Sequence, residues 1–417
     1  LLPLCFVCLS FFPMQAQTTK NELFSDIRQT AGVLYAYPVV QSVQTPAPDG
    51  YEPFYISHYG RHGSRYLTNE SDYKWVLDVF KKAQMDNALT LLGRDVYFRL
   101  ERLWKITKNR SGDLTPLGVS QQRGLAERMF NSFPEAFGTG SNIKARSTIV
   151  IRCILSMDAF CERLKELNPA LTTDRDASQQ YMEYLNYRSK RSINFSSEKG
   201  PWRDSYRKLE ASLVHPQRLI STLFSDTSYI GKKHEPTKLM FALYSLAGNM
   251  QDLDTDISFY DLFEKEELFD LFQCANYELY VCFANAGLNN GMAVDNEKHL
   301  LADILDSADK AIAEHRKGAD LRFGHDTVIT PLAAILHLGT CDTTVYEPTD
   351  CYKAWSINKV TPMAANIQLI FFRKNGSDDI LVKFLLNEKE TTIPVKSDVA
   401  PFYHWKDVET YYRELCK

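Results

Sequence analysis

The sequence predicts an α/β protein: a mostly parallel central sheet flanked by helices, with an all-helical cap domain inserted into it. Three observations carry that prediction. An apolar extended segment, Phe54-Tyr55-Ile56-Ser57, runs straight into a tight cationic turn, Tyr59-Gly60-Arg61-His62-Gly63-Ser64-Arg65. A second extended segment ends in the same manner at Asp320-Leu321-Arg322-Phe323-Gly324-His325-Asp326, and the apolar run 328–338 follows it like a helix. Between these units, over residues 168–297, the pattern is that of helices joined by polar turns, with few strand signals. Strand, glycine, titratable residues and helix, used twice, fit two neighbouring strands of one parallel sheet, and ligands of such sheets bind just beyond the carboxyl ends of the strands.

Taken in order, residues 18–51 contain Pro38, Pro46 and Pro48, which favour extended or turn structure. Asn69-Glu70-Ser71-Asp72 reads as a helix start, followed by Trp75, Val76, Val79, Phe80 and Ala83 at helical spacing. Thr115-Pro116 fits an N-cap with proline at the first helical position and opens a helix through Phe130. Residues 143–151 are rich in β-branched side chains and predict a strand that delivers Arg152 to its end, before a helix over 156–167. Further helices are expected over 205–224, 236–250, 260–285 and 298–315. Segments 367–373 and 380–386 predict two antiparallel strands at an edge of the sheet, since the Asn375-Gly376 pair between them is a strong hairpin signal. A docking helix is expected over 405–415. The chain therefore divides into a core of residues 18–163 and 298–417 and a helical cap of residues 164–297, inserted between the second and third strands and roofing the cationic turn.

Composition narrows the function. Lys+Arg 48 against Asp+Glu 52, with no basic block, speaks against a nucleic-acid partner, so any recognition of anions is local. The apolar run Leu1 to Phe12 and the small and polar residues Met14-Gln15-Ala16-Gln17 read as the end of a signal peptide over residues 1–17, without initiator Met or basic leader. That run is too short for a membrane span, so the expectation is an exported, periplasmic or secreted protein without stable membrane insertion. Setting aside Cys5 and Cys8 leaves seven of the nine cysteines, an odd number that leaves at least one thiol unpaired. Cys341 and Cys351 bracket a short loop and are the candidate bridge in an oxidising compartment. No His or Cys cluster has metal-ligand spacing, so neither a metal nor another cofactor is expected. Oligomeric state is left open.

The cationic turn carries chemistry. A guanidinium is a planar fork of donors that matches phosphate oxygens, so Arg61 and Arg65 around one imidazole read as an oxyanion clamp with a nucleophile, His62, at its centre. Gly60 and Gly63 let the backbone bend and approach a bound anion. His325-Asp326 supplies the second half of an acid–base pair. His58 reads as a structural histidine supporting the turn. Arg188-Ser189-Lys190-Arg191, with Lys199 and Arg203, forms a small basic patch that would favour a polyphosphorylated substrate if it faced the pocket.

The Arg-His-Gly-x-Arg turn and the His325-Asp326 pair resemble the two signatures of the histidine acid phosphatases, the branch of the histidine phosphatase superfamily that includes phytases and inositol polyphosphate phosphatases. Leu114-Thr115-Pro116-Leu117-Gly118, Arg152-Cys153-Ile154-Leu155-Ser156-Met157, Pro362-Met363-Ala364-Ala365-Asn366 and Leu385-Leu386-Asn387-Glu388 extend the resemblance over Tyr51 to Glu388. There are two departures. The family's proline two residues after the second arginine is Leu67 here, and the His-Ala-Glu frequent in inositol polyphosphate phosphatases is His325-Asp326-Thr327. The resemblance implies a metal-independent acid phosphatase: His62 as nucleophile forming a phosphohistidine, Asp326 as proton donor, and Arg61, Arg65, Arg152 and His325 holding phosphate oxygens. Arg146 competes with Arg152 for the third arginine, and strand alternation together with the Arg-Cys-x-x-Ser-Met motif favours Arg152. The implied partner is a small-molecule phosphate monoester, inositol polyphosphates being preferred over sugar phosphates or general monoesters. Two rivals are phosphoryl transfer within one substrate and a binding protein that has lost turnover; the second is disfavoured because both His62 and Asp326 are present.

Overall fold

The computed structural model describes residues 16–39 and 43–417. Eight strands form one sheet: β1 Tyr51–Arg61, β2 Asn142–Ser147, β3 Thr172–Ala177, β4 Gly318–Gly324, β5 Asn366–Lys374, β6 Ile380–Leu386, β7 Lys389–Thr391 and β8 Phe402–His404. Their order is β3-β2-β4-β1-β5-β6-β7, with β8 paired to β6. The first four in that order are parallel, and β5 to β8 continue the sheet antiparallel. Every residue of β4 is buried, as is β1 from Phe54 onward, because helices cover both faces and leave no side of these strands for water. In the β1–β4 ladder Arg61 stands opposite Gly324. The first residues beyond the two strand ends are therefore His62 and His325.

Several expectations need correction. The strand expected over 143–151 stops at Ser147, where the Thr148 N–H donates to the Phe323 carbonyl, and a helix begins at Ile151 and runs to Leu167. The β-branched residues that suggested a longer strand lie instead at a bend, with Ile149 and Ile151 exposed. Arg152 accordingly stands in the first helical turn and not at a strand end. β3 falls inside the stretch assigned to the helical cap, so the helical insertion follows β3. This strand has a single neighbour and a mostly polar sequence, Thr172-Thr173-Asp174-Arg175-Asp176-Ala177, which carries no apolar alternation to reveal it. β5 lies between β1 and β6 and not at an edge.

The expected helix over 205–224 is two helices, Arg203–Leu213 and Gln217–Leu223, parted at Val214-His215-Pro216, where proline cannot continue a helical ladder. That over 260–285 is a short turn followed by Lys265–Phe283, which opens on a capping box of Glu264 and Glu267. Helices Pro236–Asn249, Lys298–Ala313 and Trp405–Leu415 stand where the sequence places them. Helices Glu70–Met85 and Leu91–Thr107 pack on the insertion: the Thr90 N–H donates to the Leu223 carbonyl, and Val76, Phe80, Leu223, Leu243 and Phe272 share one apolar core. The helical layer is thus built jointly by residues 70–107 and the insertion. Cys341 and Cys351 are both buried free thiols, and the Cys351 sulfur accepts a hydrogen bond from Asn276 Nδ2 at 3.4 Å. Most of the expected signal peptide, residues 1–15, lies outside the described residues. Among the described residues no helix is long and apolar enough to cross a membrane.

The Thr115-Pro116 helix start does more than cap a helix. Thr115 Oγ1 accepts from the Gly118 N–H at 3.1 Å and donates to the Ser64 carbonyl at 3.0 Å, while the Thr115 N–H reaches the same carbonyl at 2.9 Å. The cationic turn and this helix meet glycine to glycine: a Cβ on Gly118 would stand 2.3 Å from the Ser64 oxygen, and one on Gly63 2.4 Å from the Gly118 oxygen. Gly118→Ala is therefore expected to destabilise the fold by about 1–3 kcal/mol, as overpacking does. A lowered urea midpoint at unchanged slope is the measurement; an unmoved midpoint would contradict the contact.

Candidate active site

β1 delivers Arg61 and His62 together. Arg61 is wholly buried, and its Nη1 donates to the carbonyls of Val33 and Thr361, each at 2.8 Å. Its Nε and Nη2 are buried with no hydrogen-bond partner among the described residues, and Nε lies 3.8 Å from Asp326 Oδ1. Arg65 Nη1 donates to the Tyr66 carbonyl, and Arg65 Nε is likewise buried and unpartnered. Arg152 Nε is in the same state, and Arg152 Nη1 lies against Gly112. Such unpartnered donors are costly unless something with negative charge occupies the space between them.

His62 Nδ1 stands 2.9 Å from the Gly63 carbonyl. A carbonyl only accepts, so Nδ1 carries the proton and Nε2 keeps the lone pair. The His62 and His325 ring centroids are 5.8 Å apart. Burial, then Arg61, Arg65 and Arg152, hold the His62 imidazole well below its ordinary 6.5, so it is neutral and nucleophilic in acid. Burial and Arg152 push His325 down to about 4. Its Nε2 is 3.3 Å from Thr148 Oγ1, and its edge rests on the Cys153 sulfur. Burial raises the Asp326 carboxyl, but Arg61, Arg65 and His325 together outweigh it and hold it below 3.8. Burial and Arg61 lower Arg65 to about 10, so it remains a cation.

Arg61, His62, Arg65, Arg152, His325 and Asp326 are thus brought to one place, at the carboxyl ends of β1 and β4. Arg146 is not. It pairs with Asp174 at 2.7 Å and stacks on Tyr181, on the β2–β3 edge. His58 is held between Phe160 and Phe323 and brought down to about 3 by burial and Arg322, a structural residue supporting Gly60. The Pro362-Met363-Ala364-Ala365-Asn366 segment clasps the turn through its backbone: Arg61 N–H donates to Ala365 and Ala364 N–H to His62. In the basic patch, Arg203 is paired with Glu198, and Arg188 stacks on Phe283.

Sequence reading missed the residues behind the turn. Gln122 Nε2 donates to the Arg61 carbonyl at 2.9 Å, Gln121 engages both the N–H and the hydroxyl of Ser64, and Ser156 Oγ accepts from the Gly63 N–H. Their only signal was position, on helices whose first turns carry the Leu-Thr-Pro-Leu-Gly and Arg-Cys-x-x-Ser-Met motifs. Among the described residues no group of three His, Cys, Asp or Glu could hold a metal ion. Because the Arg152 charge reaches His62 and His325 whereas Arg146 is paired with Asp174 on the β2–β3 edge, Arg152→Ala is expected to lower kcat/KM on phosphate esters by about 10²–10³. Arg146→Ala is expected to stay within about twofold, as a side chain outside the site does. Equal losses would place the third arginine wrongly.

The model of the histidine phosphatase superfamily (branch 2) matches residues 60–387 of this chain. No curated protein matches the sequence. Among solved structures, the multiple inositol polyphosphate phosphatase of Bifidobacterium longum in complex with inositol hexasulfate is similar over 92% of this chain and 97% of its own, at TM-score 0.80 and 18% identity. The phytase from D. castellii follows at TM-score 0.65 and 16% identity, covering 93% and 85%, and Hafnia alvei phytase in complex with tartrate at 0.55 and 14%, covering 88% and 98%. These likenesses are of fold. With the match spanning most of the chain, and both of its histidine turns meeting at the ends of β1 and β4, the chain belongs to the histidine phosphatase superfamily, branch 2, and is a phosphoric monoester hydrolase.

Proposed function

We propose that this hydrolase works through a phosphohistidine on His62, with Asp326 as proton donor, on inositol polyphosphates outside the cytoplasm. The observation that carries the reading is the set of buried, unpartnered guanidinium donors on Arg61, Arg65 and Arg152 around one neutral imidazole. His62 Nε2 attacks phosphorus in line as the bond to the leaving oxygen breaks, and the Asp326 carboxyl gives that oxygen its proton. The Nδ1–H bond to Gly63 fixes the ring and accommodates the positive charge formed on it. In the second half Asp326, now a carboxylate, takes a proton from water as the water oxygen attacks phosphorus and the P–N bond breaks. The guanidiniums and His325 hold the three equatorial oxygens of the transferred phosphoryl group throughout.

Support for a highly phosphorylated substrate is local. Tyr59 Oη donates to the Leu185 carbonyl at 2.8 Å beside His325, and the chain then continues through Arg188 to Lys190 and Arg191, which are exposed. The likeness to a phosphatase structure bound to inositol hexasulfate agrees with that choice. Export rests on the apolar run at residues 1–12.

The pH dependence follows from the two depressed groups. His62 must be neutral and stays so well below pH 6.5, which keeps the acid limb low. Asp326 must be protonated, yet in the ligand-free site the arginines and His325 outweigh burial and hold it below 3.8, and a bound phosphate dianion adds to burial in opposing them. Rate is therefore expected to be greatest in acid and to fall as pH rises through neutrality; a rate climbing into alkaline pH would exclude Asp326 as donor. Asp326→Ala is expected to lower turnover of alkyl phosphates by about 10²–10⁴ and of an aromatic ester, whose leaving group needs little help from a proton, by less. Quenching turnover of a labelled ester should leave acid-labile, base-stable label on His62 and none in His62→Ala. Absence of label in the wild type sinks the mechanism. Phosphate release from phytate in preference to glucose 1-phosphate tests the substrate class, and the reverse order overturns it.

A further inference from the structure

A three-residue turn at the end of the Pro236–Asn249 helix reaches from the helical insertion to the back of the cationic turn, where Asp252 bonds Ser64, Asn249 bonds the Arg65 carbonyl and Gln251 bonds the segment that holds Arg61. Asp252 is fully buried, and its Oδ1 accepts from Ser64 Oγ at 2.6 Å. Asp252 Oδ2 accepts from Asn249 Nδ2 at 3.2 Å, and the same amide nitrogen donates to the Arg65 carbonyl at 2.9 Å. Asn249 Oδ1 accepts from Tyr73 Oη at 2.5 Å, which in turn accepts from the Leu67 N–H at 2.7 Å. Proline at position 67 has no such N–H to give. The departure from the family's proline therefore feeds this network.

The intervening residue serves the other arginine. Gln251 Oε1 accepts from the Ala36 N–H at 3.0 Å, and Gln251 Nε2 bonds the Arg28 and Gly248 carbonyls. Tyr244 of the same helix donates to the Thr30 carbonyl. These contacts fasten residues 28–36, and the Val33 carbonyl within them is one of the two that fix Arg61 Nη1. Asp252 is also a carboxyl that burial raises to about 7, against the opposing pull of Ser64, Arg65, Asn249 and Arg61, so it stands within electrostatic reach of both arginines while its hydrogen bonds hold the turn.

We propose that the Asn249–Asp252 turn, and Asp252 within it, is a positioning element for the phosphate clamp: it sets where Arg65 and Arg61 stand, so the helical insertion tunes phosphate affinity without touching phosphate. The proposal rests on the reading of the cationic turn as a phosphate clamp. Displacing a binding group by about an ångström is enough to cost orders of magnitude, so a holding contact one residue from Arg65 is a sensitive place.

The test is the binding of inorganic phosphate to the full chain by titration calorimetry, alongside the thermal midpoint and KM and kcat for an aromatic ester. Asp252→Ala and Ser64→Ala are expected to weaken phosphate binding about tenfold or more and to raise KM in proportion. Asp252→Asn, which keeps an acceptor for Ser64, is expected to fall between them and wild type. Leu243→Ala, a core truncation in the same helix, is expected to lower the thermal midpoint and leave phosphate affinity unchanged. The proposal is overturned if Asp252→Ala and Ser64→Ala bind phosphate within about twofold of wild type, or if Leu243→Ala weakens binding as much as they do, which would make the effect general loosening. Should Asp252→Ala fail to fold, Ser64→Ala decides by the same limits. A wild-type protein that binds no phosphate refutes the clamp itself. One that binds phosphate without turnover refutes the catalytic reading and leaves this one standing.

Discussion

Everything at the site depends on one buried guanidinium being held by backbone. Arg61 has no access to solvent, and a charge taken out of water must be met by partners or by a ligand. Two carbonyls, from Val33 and Thr361, take one of its nitrogens and set the plane of the fork. What is left over, Nε and Nη2, is a pair of donors committed in direction and without a hydrogen-bond partner among the described residues, Nε lying 3.8 Å from Asp326 Oδ1. Arg65 and Arg152 bring further unpartnered donors to the same space. A pocket so built is a standing deficit of negative charge, and a phosphoryl group is the chemical species that fits it. Burial and the same field together keep His62 neutral, and the field outweighs burial to hold the Asp326 carboxyl below 3.8.

The sheet makes this possible through register. Two parallel strands paired with Arg61 opposite Gly324 put their next residues, His62 and His325, side by side without any loop having to travel. Glycine is required at two contacts. A Cβ on Gly324 would collide with the Tyr59 hydroxyl, and the Gly63–Gly118 approach lets a helix start press directly on the turn. The site is therefore backed by rigid elements on every side named: β1 and β4, the helix at Pro116, the helix at Ile151 and the 361–366 segment. Preorganisation of this kind is what allows electrostatic stabilisation without rearrangement during the reaction.

The helical layer is not an independent lid. Helices 70–85 and 91–107 share an apolar core with the insertion, so residues close in sequence to the cationic turn and residues up to two hundred positions later form one body. Through the Asn249–Asp252 turn that body grips the polypeptide around Arg61 and Arg65. The Ser64–Asp252 bond joins positions 188 apart in the chain. Leu67, at the position where the family carries proline, gives the N–H that bonds Tyr73 Oη, the first link of the hydrogen-bonded chain that runs through Asn249 to the Arg65 carbonyl.

Features whose cause is local are legible in the order of residues alone. Glycines and arginines around His62, the apolar run after His325-Asp326, the threonine–proline helix start and the Asn-Gly hairpin each depend on a few adjacent residues, and all appear where they were read. Periodicity also sufficed for the long apolar helices of the insertion. It failed where the pattern is not apolar or where context overrides propensity. β3 is polar because it is an edge; the β-branched stretch 148–151 turns because the sheet ladder ends at Ser147; and Cys341 and Cys351 stay apart despite their spacing. The tertiary structure was needed to show that Arg146 is paired away on the β2–β3 edge, which strands are neighbours, and which buried polar residues stand behind the turn. Those outcomes are set by contacts between distant segments, and a buried hydrogen bond between two polar side chains leaves no periodic trace in the chain that makes it.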